Sequence, residues 1–166
     1  MFNIYITNLG KYNEGELVGK WLSLPCDDIE SELNSIGVKD GTRYEEYFIT
    51  DYENDFDYSV GEYENLEKLN ELAEKLENLD DYQKEWLKAY KEAYSDDLEY
   101  CIENFENESI FYQDCTIKDV AQNMVDNGYF GDIPDDIAMY IDYDAIARDL
   151  SCKNFVEVSN GTIEIL

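Results

Sequence analysis

The feature that most constrains how this chain can fold is negative charge, spread evenly from end to end. Forty aspartates and glutamates face twelve lysines and arginines and no histidine, for a formal net charge of −28 across 166 residues. Acids outnumber bases thirteen to four over residues 1–60, fourteen to five over 61–103, and thirteen to three over 104–166. An acidic tail or a single carboxylate pocket would concentrate the excess; here most of the surface has to be negative. Self-repulsion on that scale works against a compact state, so the apolar residues decide whether the chain folds. Leu, Ile, Val and Phe supply 42 of the 166 residues, above the level of roughly one-fifth below which highly charged chains stay unfolded. Fifteen tyrosines and two tryptophans add large amphipathic surfaces that can line thin cores. The expectation is a folded protein.

Composition also excludes functions. Without histidine there is no Ser-His-Asp triad, no H-E-x-x-H zinc site and no imidazole acid-base catalyst. A field this negative repels nucleic acid and anionic lipid headgroups, so neither is expected as a partner. No apolar run approaches the roughly 20 residues that span a bilayer. The opening Met-Phe-Asn-Ile-Tyr-Ile lacks the basic region and long apolar stretch of a signal peptide. Cys26, Cys101, Cys115 and Cys152 are unevenly spaced, with no C-x-x-C pair. They read as reduced, mostly packed thiols of a cytoplasmic protein.

Periodicity suggests three parts. In residues 1–60, Asn3–Thr7 alternates like a half-buried strand, Asn8–Gly15 has loop composition, and Asp27 with Glu30 resembles a capping box. A helix through Ile36 and a strand over Tyr44–Asp51 follow. Residues 61–103 read as wholly helical. Leu66, Leu69, Leu72, Leu76 and Leu79 form one stripe, Asp80-Asp81 caps a helix with Tyr82, Trp86, Tyr90 or Ala89, and Ala93 inward, and Asp96-Asp97 starts another. In residues 104–166, Ser109–Tyr112 reads as a strand and Thr116 with Asp119 opens a helix ended by Gly128. Pro134 suits the first turn of a helix through Tyr140, and Asp142–Leu150 forms one more. Phe155–Val158 and Thr162–Ile165 flank an Asn160-Gly161 hairpin signal. The expected class is α+β, in three small tandem units: mixed, helical, mixed.

Solubility alone needs a net charge of only about 2–8 in a small domain. Duplex DNA carries about one charge per 1.7 Å, so the excess here corresponds to roughly 48 Å, or about 14 base pairs. DNA mimicry is one reading; an acidic or halophilic soluble protein is the other. Asp51, Glu53, Asp55, Asp57 and Glu62 partly match a calcium-loop register, but Phe56 stands where that loop demands glycine. The alternating acids fit a strand's solvent face more simply. A glycosidase needs just two carboxylates, and forty candidates offer no way to choose a pair. No metal, cofactor or catalytic residue is expected.

Two stretches resemble the ArdA antirestriction family of conjugative plasmids and transposons. Ile4-Tyr5-Ile6-Thr7-Asn8-Leu9-Gly10-Lys11-Tyr12-Asn13-Glu14-Gly15 with Gly19-Lys20-Trp21-Leu22 is similar to the family's opening strand, its K-Y-N-E-G loop and its G-K-W-L segment. Gly128-Tyr129-Phe130-Gly131-Asp132-Ile133-Pro134, then Tyr140-Ile141-Asp142-Tyr143-Asp144-Ala145-Ile146-Ala147-Arg148-Asp149-Leu150, looks like its antirestriction region and Y-I-D-Y-x-x-x-A-R-D-L ending. The resemblance implies three small domains in an elongated curved rod, and a homodimer joined through the C-terminal domains. It also implies inhibition of type I restriction-modification enzymes through the DNA groove of their specificity and methyltransferase subunits. Asp126 through Tyr140 match the antirestriction motif, near the family's dimer contact.

The resulting expectation is a non-enzymatic decoy whose carboxylates stand in for phosphates. Candidates for that surface are Glu14, Asp28, Glu32, Asp51 and Asp55 in the first part. Glu64, Glu71, Asp81, Asp97 and Glu103 serve in the second, and Asp114 and Asp126 in the third. Ile110, Tyr112, Met124 and Phe130 are candidate dimer contacts, because apolar residues cluster there between scattered acids. The alternative is an acidic chaperone for a basic protein.

Overall fold

Alternation along β1 (Phe2–Asn8) buries Phe2, Ile4 and Ile6 on one face. The computed structural model describes all 166 residues and places β1 at the centre of a three-stranded antiparallel sheet. Its neighbours are β2 (Gly19–Leu24) and β3 (Tyr47–Asn54), with Ile4 opposite Leu22 on one side and Tyr52 on the other. The β1–β3 register shifts between Tyr5 and Ile6.

The stretch Asn8–Gly15, expected as loop, contains a short helix, α1 (Leu9–Asn13). Asn8 is the reason. It is fully buried, its Oδ1 accepts from the Lys11 N–H at 3.0 Å, and its Nδ2 donates to the Ile36 carbonyl at 3.2 Å. α2 (Ile29–Ser35) is capped by Asp28, not Asp27, because the Asp28 carboxylate accepts from the Ser31 N–H at 2.8 Å. Glu30 then falls at the second helical position and closes no box. β3 starts three residues later than expected. The Lys39 N–H donates to the Tyr44 carbonyl at 2.9 Å, which folds residues 39–44 into a turn.

α3 (Leu66–Glu77) carries the leucine stripe as expected, with Leu66, Leu69, Leu72, Ala73 and Leu76 buried and Asn65 as N-cap. Leu79 lies beyond its end. Asn70 fastens the helix to the chain after β2: it accepts from the Cys26 N–H at 2.8 Å and donates to the Cys26 carbonyl at 3.2 Å. These elements form one unit, Met1–Leu79; the second spans Asp80–Leu166. The helical stretch 61–103 therefore contributes α3 to the first unit and the next two helices to the second.

In the second unit, α4 (Asp81–Ala93) begins with a capping box between Asp80 and Gln83. Its buried residues are Leu87, Ala89 and Tyr90. Tyr82 and Trp86, expected to face inward, sit at the margin. There the Tyr82 hydroxyl donates to the Phe111 carbonyl at 3.0 Å, and Trp86 Nε1 donates to Ser109 Oγ at 2.8 Å. Amphipathic side chains with one polar end gain more at such an edge than in a dry core. α5 (Leu98–Glu108), capped by Asp97, buries Leu98, Cys101 and Phe105.

β4 (Ser109–Gln113) follows, then α6 (Ile117–Asp126) with the expected Thr116–Asp119 capping box. α7 (Asp135–Ala138) stops short of Tyr140, and α8 (Tyr143–Ser151) is capped by Asp142. β5 (Phe155–Val158) and β6 (Gly161–Ile165) complete an antiparallel sheet of order β4-β6-β5. Register puts Phe111, Ile163 and Val156 on one face, and Tyr112, Thr162, Glu164 and Phe155 on the other. Phe111 meets Tyr82 of α4, with ring centroids 5.9 Å apart. Phe155 joins Ile117, Val120, Ala121 and Leu150 in a core under α6 and α8. The hairpin forms where expected, but its two-residue loop is Ser159-Asn160. Gly161 opens β6 at φ +152°, where a Cβ would lie 2.4 Å from the Tyr112 carbonyl oxygen. Asn160 Nδ2 pins the loop to α4 through the Glu85 carbonyl (2.9 Å) and carboxylate (2.8 Å).

With Leu87 wholly buried between α4 and its neighbours, Leu87→Ala should cost about 2–5 kcal/mol of stability. Urea unfolding followed by far-UV circular dichroism would measure it, and a loss below about 1 kcal/mol would contradict this packing.

Candidate functional site

No carboxylate is buried. The buried polar residues are Thr7, Asn8, Ser109 and Thr162, and every aspartate and glutamate has an exposed or half-exposed position. Charge this dense stays at the surface because burying an unpaired carboxylate carries a large desolvation cost. Among the twelve acids proposed from sequence, Glu32 and Glu64 are half-buried and the other ten are exposed.

Several of those acids also hold the fold. Glu14 pairs with Arg43 and accepts from the Tyr44 hydroxyl at 2.8 Å. Asp28 and Asp97 cap helices, Glu32 pairs with Lys20, and Asp55 pairs with the α-amino group. Glu64 accepts from the Tyr58 hydroxyl at 2.5 Å and the Gly61 N–H at 2.8 Å. The Asp51 carboxylate turns back to the Tyr52 N–H at 2.9 Å. Asp114 sits at φ +55° after β4. Glu71, Asp81, Glu103 and Asp126 lie exposed on helices. Asp51 and Glu53, read above against a calcium register, occupy strand positions in β3.

Tyrosine hydroxyls brace carboxylates without neutralising them. Tyr90 and Tyr100 both donate to Glu108, at 2.6 and 2.9 Å, and Tyr112 donates to Glu164 at 3.3 Å. The Glu108 hydrogen bond pushes the Tyr100 phenol up to about 12. Burial, then Glu108, raises Tyr90, and burial, then Glu164, raises Tyr112. Glu85 is held below the usual carboxylate range, first by Lys88 and next by Asn160. The four cysteines are free thiols; Cys101 is buried, which pushes it up to about 11.

The segment from Asp126 to Tyr140 has a defined backbone and exposes large apolar side chains among its aspartates. After α6, Tyr129 N–H donates to the Met124 carbonyl at 2.9 Å and Gly128 N–H to Val125 at 3.0 Å, with Gly128 at φ +73°. This pair of bonds is a Schellman termination, and it requires the left-handed residue that glycine supplies. Gly131, at φ +90°, closes a further turn onto the Gly128 carbonyl at 2.9 Å. Pro134 stands at the N-cap of α7. Tyr129 (71%) and Tyr140 (78%) are largely exposed, as is Phe130, which meets Tyr129 edge-on at 5.2 Å. Asp132 is exposed beside them and Ile133 half-buried.

Of the four candidate dimer contacts, Ile110 and Phe130 are exposed. Tyr112 and Met124 instead pack partly against the α6–α8 core. Sequence reasoning did not single out Ile137 or Met139, both exposed within the same segment. It also missed a cavity of about 430 Å³ in the first unit, lined by Leu9, Glu45, Glu46, Tyr47 and Tyr63. Those residues come from three separated stretches of chain, so no local pattern announces them.

A family model described as Antirestriction protein (ArdA) matches residues 4–164. No curated protein matches the chain. With 4–164 of its 166 residues covered by that model, the chain belongs to the ArdA antirestriction family.

Proposed function

We infer that this protein inhibits a type I restriction-modification enzyme as a DNA mimic, occupying the groove in which the specificity and methyltransferase subunits hold duplex DNA. One observation carries the reading: a net charge of −28 with every carboxylate at the surface. Lysines and arginines that grip phosphates bind side-chain carboxylates through the same charge-assisted hydrogen bonds. No bond in the partner is made or broken, so the protein acts as a decoy and no catalytic group is required. Acids with structural partners still contribute field, because a tyrosine or backbone donor leaves the negative charge in place. A gel-shift competition among labelled duplex, a type I methyltransferase and this protein tests it. The protein should displace the duplex; failure to compete would leave binding of an isolated basic protein, as a chaperone, to be measured instead.

We further read the exposed apolar residues of the antirestriction segment, Phe130 among them, together with Ile110 exposed on β4, as the contact of a homodimer.

Function should depend on charge collectively. Neutralising Glu71, Asp81, Asp97 or Glu103 singly to the amide should weaken inhibition less than about tenfold, since an exposed pair contributes at most about 1 kcal/mol. Asp97→Asn keeps the helix cap and so isolates the charge. Reversing six or more acids spread along the chain should abolish inhibition, and a single amide substitution that did so without unfolding would point to a localised site.

The protein's affinity for the methyltransferase should fall less steeply with salt than that of duplex DNA. DNA releases condensed counterions at about 0.9 log units per contacted phosphate, whereas carboxylates on flexible side chains condense fewer. Screening keeps the slope negative. Titration at several ionic strengths decides: equal slopes defeat the counterion argument, and a flat slope removes the carboxylates from the interface.

A lysine at Phe130 or Ile110 would bury a charge at the dimer contact and should shift the protein toward monomer. Sedimentation of a wild type that is already monomeric at micromolar concentration would end the dimer reading.

A further inference from the structure

The 430 Å³ cavity of the first unit opens to solvent and is held by contacts among three stretches of chain. Leu9 N–H donates to the Glu46 carbonyl at 3.1 Å, tying the start of α1 to the approach to β3. Ile49 N–H donates to the Glu62 carbonyl at 2.7 Å, which holds residue 63 beside β3. Leu66 N–H donates to the Tyr47 hydroxyl at 3.3 Å, fixing that ring. Tyr63 stacks on Phe48 with centroids 6.4 Å apart, and Phe48 meets Tyr12 edge-on at 5.1 Å. Tyr63 is thus braced by a row of rings while remaining 71% exposed. The lining brings together Leu9, Tyr47, Tyr63 and two adjacent acidic residues, Glu45 and Glu46, of which Glu45 accepts from the Gly41 N–H at 3.3 Å through its carboxylate.

We propose that this cavity receives an arginine side chain from the DNA-binding surface of the partner enzyme and anchors the decoy at that point. The inference rests on the DNA-mimic reading and adds a localised subsite to its distributed surface. Chemistry favours a guanidinium. It is planar and weakly hydrated, stacks on aromatic faces, and carries five donors suited to carboxylates. A lysine ammonium is a strongly hydrated point charge that gains less from phenol rings. Phosphates and other anions are repelled by Glu45 and Glu46, and a neutral apolar side chain would strip water from both without replacing it. Aromatic rings backing a charged contact are also what turns one ion pair among many into a binding hot spot.

Two measurements test it. Titrating the free protein with arginine amide, followed by tyrosine ring resonances, should give saturable shifts at Tyr47 and Tyr63 that lysine amide produces at least about fivefold more weakly. The shifts should vanish in Tyr63→Ala and persist in Tyr63→Phe, with circular dichroism confirming that both fold. Equal response to the two amides, or shifts surviving Tyr63→Ala, would overturn the proposal. In inhibition assays, Glu45→Gln/Glu46→Gln should lose about tenfold, while Glu71→Gln/Glu77→Gln, removing the same charge elsewhere, should lose about threefold or less. Equal losses would also overturn it. A wild type that fails to inhibit would sink the DNA-mimic reading, and the arginine titration would still judge the cavity.

Discussion

Forty carboxylates with twelve cations to offset them must each find water or a hydrogen-bond donor, and that requirement organises both units. Backbone N–H groups at helix starts meet much of it. Asp28, Asp80, Asp97 and Asp142 cap four helices, and Asp119 closes the box at the start of α6. Helix N-termini carry positive dipole ends, so short helices in number provide many favourable places for acids. The opposite ends lack the matching cations: α2, α5, α6 and α7 have no basic residue in their last turn. α6 meets the shortage with its Schellman turn at Gly128, which satisfies carbonyls through the backbone alone.

Tyrosine provides the second solution. A phenol supplies a donor and an apolar ring together, so Tyr44, Tyr58, Tyr90, Tyr100 and Tyr112 each hold a carboxylate while their rings pack. A lysine in the same role would cancel the charge. The abundance of tyrosine beside so few cations follows from needing bound, ordered acids that stay negative. Stability then rests on apolar burial in two thin cores, and function, as proposed, on the field that the phenols leave intact.

Much of the secondary structure was legible because it is set locally. Thr116 with Asp119, the leucines of α3, and the strands around Ser159-Asn160 depend on neighbours a few residues away. What was not legible depends on distant partners. α1 exists because Asn8 is buried against Ile36, and Tyr82 and Trp86 lie at the core margin because Phe111 and Ser109 offer acceptors there. For the site, exposure of the acids followed from their number. Which acids double as caps or braces did not, since Glu14 needs Arg43 and Tyr44, and Asp55 needs the chain start. The cavity at Tyr63 is likewise a product of tertiary contact.

The absence of histidine leaves the molecule without the side chain whose charge ordinarily changes between about pH 5 and 8. Burial pushes the Cys101 thiol up to about 11, and the Glu108 hydrogen bond pushes the Tyr100 phenol up to about 12. An acidic surface dotted with imidazoles would dim and brighten with each small change in proton concentration; this one carries none.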